Sequence, residues 1–155
     1  MYKKIYIGVI GAGDCSQEIY DMASEVGYLI GNNDWILICG GLGGVMEGAA
    51  KGCCKGGGMT VGILPGGEKD SANPFIKLPI PTGLGEGRNL LIVRASDVVV
   101  AISGGYGTLS EIGMALKIGK PVVGLKTWHG IDGIDYVETP RQAIDMVVRY
   151  VSRLN

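Results

Sequence analysis

A glutamate and an arginine stand beside glycine-rich turns in this sequence, and such residues suit chemistry on a phosphorylated ligand. The stretch Val98-Val-Val-Ala-Ile-Ser-Gly-Gly-Tyr-Gly-Thr-Leu-Ser-Glu111 passes from β-branched residues through glycines into Thr108 and Glu111. This order predicts a buried strand, a tight turn and a helix N-terminus. Unpaired backbone N–H groups at such a turn attract an anion, usually a phosphate. We therefore predict that the turn binds a nucleotide phosphate and that Glu111 faces the sugar.

Two other interpretations of this stretch stay open at the level of sequence. Thr108 and Glu111 have the spacing of a capping box, in which the glutamate side chain bonds back to the N–H of the N-cap threonine. The glycine turn is also compatible with a plain connection between a strand and a helix. We favour the phosphate interpretation because the chain repeats the same arrangement elsewhere.

Glycines follow two further predicted strands. Residues 5–10 form an apolar strand that ends in Gly11-Ala-Gly13, with Asp14 as the expected N-cap of the next helix. Residues 35–39 form a second strand that ends in Gly40-Gly-Leu-Gly-Gly44. Glycine makes up 28 of the 155 residues, well above the ~7% of average proteins, and it is concentrated where apolar runs stop.

The alternation of strands and helices continues along the rest of the chain. Prolines at 79 and 81 place one short strand near a sheet edge, and the polar segment 68–74 is predicted to be a mobile loop. Thr139, Pro140 and Gln142 predict the start of the last helix. Further strands are predicted at 59–64, 76–80, 97–102, 120–125 and 136–137.

Near-continuous apolar strands alternating with helices predict a single Rossmann-like domain over residues 1–155. We expect a three-layer αβα arrangement with a mainly parallel, doubly wound sheet. Right-handed crossovers then bring the carboxyl ends of the strands to one rim, where ligands of such sheets bind. The predicted phosphate- or nucleotide-binding residues are Gly11, Gly13, Gly40, Gly41, Gly43, Gly104, Gly105, Gly107 and Thr108.

Composition excludes several other classes of function. The formal net charge is −1 without a basic block, which argues against a nucleic-acid partner. No apolar run approaches the ~20 residues of a membrane span, and the N-terminus lacks a signal-peptide pattern, so we expect a cytoplasmic protein. The four cysteines lack CxxC spacing and His129 is the only histidine. We therefore expect reduced, buried thiols and no metal site.

Two common nucleotide-binding motifs do not fit. Gly11-x-Gly13-x-x-Ser16 nearly matches the dinucleotide fingerprint, but the second strand ends in Cys39-Gly-Gly41 without the carboxylate that would bind the ribose. The P-loop pattern Gly-x4-Gly-Lys-Ser/Thr is absent. NAD binding and P-loop ATP hydrolysis are therefore disfavoured.

A family resemblance rests on three segments, Gly40-Gly-Leu-Gly-Gly-Val-Met46, Gly87-Arg-Asn89 and Gly104-Gly-Tyr-Gly-Thr-Leu-Ser-Glu111. Together they resemble the Lonely Guy family, once described as lysine decarboxylases, over residues 8–125. The resemblance implies the fold that this family shares with molybdenum cofactor carrier proteins and DNA-processing protein A. It also implies a phosphoribohydrolase that cleaves the N-glycosidic bond of nucleoside 5′-monophosphates.

The resemblance assigns roles to particular residues. Arg88 and Glu111 match the catalytic arginine and glutamate of the family, and the motif glycines with Thr108 match its phosphate-binding residues. It further implies a homodimer or larger homo-oligomer, a nucleotide-like small-molecule ligand and no required cofactor. Lysine decarboxylation is not expected, since no lysine has a recognisable pyridoxal-phosphate context.

Two positions depart from the enzyme pattern. Ser103 stands where the enzymes usually have proline, and Asn89 follows the arginine where they usually have lysine. These features resemble the branch of the molybdenum cofactor carriers. The alternative prediction is therefore a non-catalytic carrier or binder of a phosphorylated cofactor.

Overall fold

The computed structural model describes residues 3–154, so positions 1, 2 and 155 of the predicted domain lie outside the described residues. Seven strands are present there: β1 Tyr6–Gly11, β2 Ile36–Cys39, β3 Met59–Leu64, β4 Leu78–Pro81, β5 Val98–Ile102, β6 Val122–Leu125 and β7 Ile134–Val137. The α-helices are α1 Gln17–Asn32, α2 Val45–Lys55, α3 Arg88–Ala95, α4 Tyr106–Lys117 and α5 Pro140–Ser152. Two 3₁₀ turns cover Lys69–Ser71 and Gly85–Gly87.

All seven strands form one parallel sheet in the order β4-β3-β2-β1-β5-β6-β7. The chain builds one half of the sheet outward from β1 and then returns to build the other half from β5. The direction of winding therefore reverses between β1 and β5, where Gly11 pairs with Ile102. A sheet of this kind leaves a crevice at that point. The predicted Rossmann-like α/β fold is confirmed.

Helices cover both faces of the sheet. Helices α1, α2 and α5 pack on one face, and α3 and α4 pack on the other. The five residues of β5 are fully buried because Val98, Val100 and Ile102 point into one core while Val99 and Ala101 point into the other. Burial on both faces explains why this strand is an unbroken apolar run in the sequence.

The observed starts of α1 and α5 test two capping predictions. The Thr139 hydroxyl accepts a hydrogen bond from Gln142 N at 3.2 Å, so the predicted cap of α5 is confirmed. The N-cap of α1 is Ser16, which accepts from Ile19 N at 3.2 Å, and the prediction of Asp14 is wrong. Both residue types cap helices, and the longer connection from β1 places Ser16 rather than Asp14 at the helix start.

Segment 68–74, predicted to be a mobile loop, is hydrogen-bonded to the connection after β2 at its C-terminal end. Asn73 donates from its backbone N to Gly41 O and from Nδ2 to Leu42 O, both at 2.8 Å. These bonds tie the C-terminal end of the segment to the connection after β2, while the mobility of the segment stays a prediction. The predicted edge position of the proline-containing strand β4 is confirmed.

The four cysteines are buried or half-buried. Burial raises the pKa of Cys39 and of Cys53 to about 12, so both thiols stay protonated at neutral pH. Cys15 and Cys54 are half-buried, and all four cysteines are free.

Within residues 3–154, every helix is too short or too polar to cross a lipid bilayer.

Candidate functional site

A cleft of about 400 Å³ opens at the carboxyl edge of the sheet, beside the point where the winding reverses. Its walls come from the connections after β1 and β2 and from the first turns of α3 and α4. The three predicted glycine turns therefore do meet at one rim. Eight predicted site residues line this cleft: Gly11, Gly13, Gly40, Arg88, Gly105, Gly107, Thr108 and Glu111.

The other three predicted glycines, Gly41, Gly43 and Gly104, are not among the residues that line the cleft. Gly41 and Gly104 have φ angles of +77° and +107°, a region that residues with a Cβ rarely adopt. A Cβ on Gly104 would collide with the side chain of Thr108, and one on Gly43 would press against Gly13 O at 3.1 Å. These glycines shape the turns that other residues present to the cleft.

The connections after β1 and β2 are joined to each other at the cleft. Val45 N, at the start of α2, donates to Ala12 O at 2.9 Å. Gly44 precedes it with φ +62°, and a Cβ at this position would collide with Ala12 O. Close approach of the two backbones therefore requires glycine here, and it holds the two glycine turns as one wall.

The N-terminus of α4 opens onto the cleft without a side-chain cap. The helix begins at Tyr106 with Gly105 as its N-cap, so Thr108 lies inside the first turn and the capping-box interpretation is wrong. Leu109 N makes the first backbone bond of the helix, to Gly105 O at 3.0 Å. The preceding N–H groups have no partner within the helix, and they favour an anion beside them. By contrast, α1 and α5 have side-chain caps.

Arg88 is the first residue of α3 and is only 9% exposed. Its Nη1 donates to Ile63 O at 3.1 Å, whereas its buried Nε has no hydrogen-bond partner among the described residues. Burial lowers the pKa of the guanidinium, and the nearby charge of Glu111 opposes that change. An unpaired buried donor costs roughly 1–3 kcal/mol, a cost that an acceptor brought into the cleft would remove.

The position of Arg88 explains why residue 40 is glycine. The guanidinium lies against the α-carbon of Gly40, so that a Cβ there would collide with Nη1 of Arg88 and, at 2.6 Å, with the sulfur of Met46. Gly40 lines the cleft, and its lack of a side chain leaves the space that the guanidinium of Arg88 occupies.

Glu111 is 8% exposed and lines the cleft from the second turn of α4. Burial raises the pKa of its carboxyl group to about 7, although the positive charge of Arg88 lowers that pKa in opposition. The protonated and ionised forms are therefore both populated near neutral pH. A carboxyl group in this state suits proton transfer or the stabilisation of developing positive charge.

The charged residues that line the cleft are Arg88, Glu86 and Glu111, and no lysine or histidine is among them. A single cation beside an open helix N-terminus suits a small anionic group. Across residues 3–154, no group of three or more His, Cys, Asp or Glu side chains has an arrangement that would hold a metal ion. Arg88 can bind an anion, and the carboxyl groups of Glu86 and Glu111 can take part in acid–base and electrostatic chemistry.

Several lining residues had no predicted binding role. Leu42, Met46 and Pro65 give the cleft an apolar side, and Asn89 adds an amide next to Arg88. The glycines after β3 signalled the end of a strand near Pro65, and Asn89 belongs to the motif that carried the family resemblance. Leu42 and Met46 lie in the segment 40–46 that also carried the resemblance, but as apolar residues they were not assigned a binding role.

Comparisons with known proteins identify the relatives of this chain. A protein of Archaeoglobus fulgidus is 48% identical over 146 residues, which are 94% of this chain and 96% of the relative. The cytokinin riboside 5′-monophosphate phosphoribohydrolase of Mycobacterium tuberculosis is 31% identical over 129 residues, 76% of this chain and 67% of that enzyme.

Solved structures with the same fold include two proteins linked by name to the molybdenum cofactor. The molybdenum cofactor binding protein of Rippkaea orientalis has a TM-score of 0.90 and 33% identity, covering 97% of this chain and 99% of that one. The carrier protein of Chlamydomonas reinhardtii has a TM-score of 0.88 and 34% identity at the same coverage. DNA processing protein A of Streptococcus pneumoniae, at 16% identity and a TM-score of 0.73 over 92% of this chain and 61% of that one, shares the fold alone.

The predicted relationship to the Lonely Guy enzymes and the molybdenum cofactor carriers is thus confirmed. Residues 4–150 match the profile of the SLOG cluster4 family. This match covers nearly the whole sequence and includes each of the three segments that carried the resemblance. The chain belongs to the SLOG cluster4 family.

Proposed function

We propose that this protein binds a nucleoside 5′-monophosphate in the cleft and hydrolyses its N-glycosidic bond. One observation carries the proposal: Arg88 and Glu111, both buried, converge from different helices on a cleft that also receives the uncapped N-terminus of α4. Both side chains are costly to bury in charged form, and a ligand that pairs with them offsets that cost.

The phosphate belongs at the first turn of α4. Gly105 and Gly107 line the cleft there with open space beside their α-carbons, so that a ligand can approach the backbone N–H groups. The helix dipole and the guanidinium of Arg88 supply positive potential. Glu86 and Glu111 add negative charge to the lining of the cleft, which favours one phosphate over a chain of them.

Hydrolysis breaks the C1′–N bond and adds the oxygen of water to C1′. The base leaves with the bonding electron pair and takes up a proton, giving free base and ribose 5-phosphate. Positive charge develops on the ribose as the bond breaks, as it does in glycoside hydrolysis. Ionised Glu111 would stabilise that charge and orient the water or the sugar hydroxyl groups. Arg88 would fix the phosphate end of the substrate.

The named activity of the Mycobacterium tuberculosis relative supports this proposal. The test is to incubate the purified protein with AMP and other nucleoside 5′-monophosphates and to measure free base by chromatography. We expect release by the wild type and at least a hundredfold loss in Glu111→Gln and in Arg88→Met. Glu25→Gln and Arg141→Met are matched controls, because both residues are exposed. Lack of release by the wild type, or full activity in Glu111→Gln, would refute the hydrolase.

A non-catalytic carrier of a phosphorylated cofactor, such as the molybdenum cofactor, is the second candidate. Ser103 favours it, because its φ of +54° is a conformation that proline, fixed near −65°, does not adopt. The turn before α4 therefore departs in shape from the proline-containing pattern of the enzymes. The two named cofactor proteins support the same candidate. A carrier would show a ligand-dependent rise in Tm without base release.

The remaining predictions about partners and location belong to the same proposal. Exposed Leu78, Leu84 and Leu91 offer apolar surface that a second copy of the chain would cover. Sedimentation of the purified protein tests the predicted homo-oligomer. The absence of a nucleic-acid partner and the cytoplasmic location stay predictions, which binding assays and cell fractionation check.

A further inference from the structure

We propose that Thr127 and Trp128 are positioning residues that hold the turn before α4 with its carbonyl groups directed away from the cleft. The backbone N–H groups of the turn are then left facing the ligand. This inference rests on the proposed phosphate site and adds two residues that do not line the cleft themselves. Neither residue has a recognisable motif around it in the sequence.

Two side-chain hydrogen bonds carry the inference. Thr127 Oγ1 donates to Ser103 O at 2.8 Å, and Trp128 Nε1 donates to Gly105 O at 3.0 Å. Both donors lie on the connection after β6, and neither of them lines the cleft. Two acceptors of the turn, Ser103 O and Gly105 O, are therefore bound by donors from another part of the chain.

The sheet brings these two connections together. Ile102 and Leu125 are paired at the ends of β5 and β6. Each is followed by a non-glycine residue in the left-handed region, Ser103 at φ +54° and Lys126 at φ +52°. Ser103 N also donates to Leu125 O at 3.3 Å. Because the connections after β5 and β6 bend in the same way, Thr127 and Trp128 lie alongside Ser103–Gly105.

The turn needs such support because its backbone is both strained and free to rotate. A left-handed non-glycine residue costs roughly 1–2 kcal/mol, and Gly104 and Gly105 have no side chains to fix their peptide planes. Rotation of one peptide unit would exchange an N–H for a carbonyl oxygen at the cleft. A carbonyl oxygen there would repel a phosphate instead of binding it. The two hydrogen bonds oppose that rotation, together with the helix bond that Gly105 O accepts from Leu109 N.

Trp128 is itself fixed from several sides. Its carbonyl oxygen accepts a hydrogen bond from the Tyr136 hydroxyl, and that hydroxyl also accepts from Ile131 N at 3.2 Å. The indole packs against the ring of Tyr106, with the ring centroids 5.8 Å apart. Thr127 is 6% exposed. Both donors are thus held rigidly enough to set the orientation of the turn.

The experiment uses conservative variants that remove one donor each. Thr127→Val keeps the shape of the side chain and loses the hydroxyl group, Thr127→Ser keeps the hydroxyl group, and Trp128→Phe keeps an aromatic ring without Nε1. Thr60→Val is the matched control, because Thr60 lies on β3 in the other half of the sheet, is fully buried and donates to Phe75 O. AMP and inorganic phosphate are the probes, with affinity measured by calorimetry.

We expect Thr127→Val and Trp128→Phe to weaken AMP affinity at least tenfold while the proteins stay folded. Thr127→Ser should remain within twofold of the wild type, and so should Thr60→Val despite a lower Tm. Unchanged affinity in Thr127→Val and Trp128→Phe would overturn the inference. A loss that Thr127→Ser does not restore would also overturn it, since packing rather than the hydroxyl group would then be responsible.

A second readout separates failure of this inference from failure of the proposed function. If the wild type binds neither probe, the proposed phosphate site fails on that result alone. Amide hydrogen exchange without ligand then decides the positioning role. Faster exchange in Thr127→Val at the hydrogen-bonded amides of Ser103 and Leu109 would support it, and exchange equal to that of the wild type at both would overturn it.

Discussion

Arg88 and Glu111 line the same cleft from α3 and α4 without forming an ion pair, since no acidic side chain of residues 3–154 lies within 4.0 Å of the Arg88 guanidinium. The positive charge of Arg88 lowers the pKa of Glu111, but burial outweighs it and raises that pKa to about 7. Two buried charges that do not satisfy each other leave both groups available to a ligand.

Glu111→Gln should stabilise the free protein at high pH. The pKa of Glu111 is about 7 in the folded state against 4.5 ordinarily, so the folded state binds more protons between these values and stability falls as pH rises. The free-energy cost of burying ionised Glu111 reaches its full value above pH 7 and is at most about 3 kcal/mol. Chemical denaturation should show the variant more stable by about 1–3 kcal/mol at pH 8.5.

The same variant should differ little from the wild type at pH 5, where the folded-state carboxyl group is protonated. Glu25→Gln, at an exposed site, corrects for any general effect of removing a carboxylate. An equal gain in stability at pH 5 and pH 8.5 would show that ionisation of Glu111 is not responsible.

Base release should depend on pH through the ionisation of Glu111. Because the proposed role uses the carboxylate, kcat/KM for AMP should rise about tenfold per pH unit below the pKa and level off above about 7. A bound phosphate places negative charge near Glu111, so the midpoint for kcat should lie at higher pH than that for kcat/KM. Initial rates between pH 5.5 and 9 measure both, and a flat profile would exclude this role for the carboxylate.

Gly40→Ala should weaken ligand binding by displacing Arg88. The new methyl group would collide with the guanidinium and with the sulfur of Met46, and overpacking of this kind costs about 1–3 kcal/mol of stability. We expect at least a tenfold loss of AMP affinity by calorimetry. Gly66→Ala is the matched control, because Gly66 has open space around its α-carbon. Equal AMP affinities in the two variants would show that the lack of a side chain at Gly40 is not what keeps Arg88 in its binding position.

Alanine at Gly104 and at Gly105 should give opposite results. Gly104 has φ +107° and its α-carbon lies against Thr108, so Gly104→Ala should lower the free energy of unfolding by about 1–3 kcal/mol. Gly105 has φ −105° and no neighbouring atom where a Cβ would stand, so Gly105→Ala should keep its Tm. If Gly105 is where a phosphate approaches the backbone, its variant should lose AMP affinity at least tenfold. Retained affinity would remove Gly105 from the site.

The sequence by itself determined the architecture and the location of the cleft. Apolar runs bounded by glycine report local preferences, and parallel winding obliges the turns after β1, β2 and β5 to share one rim. Arg88 and Glu111 followed from the motif resemblance, and both line the cleft. The fold and the rim needed only neighbouring residues and the handedness of the crossovers, whereas Arg88 and Glu111 needed the resemblance as well.

Only the tertiary structure decided what each residue does at that rim. Thr108 and Glu111 have the spacing of a capping box, yet α4 begins at Tyr106, because Gly104 and Gly105 complete the turn earlier than the spacing suggests. Gly40 resembles the other glycines in the sequence but makes room for a side chain 48 positions away.

Long-range contacts also decided the support and the protonation of the site. Thr127 and Trp128 bond to carbonyl groups 24 and 23 residues away, and no local pattern specifies such partners. The pKa of Glu111 depends on how completely α3, α4 and the sheet remove water from its carboxyl group. The burial of Glu111 results from the packing of several elements against one another. A short stretch of sequence does not reveal which distant atoms exclude water from this side chain.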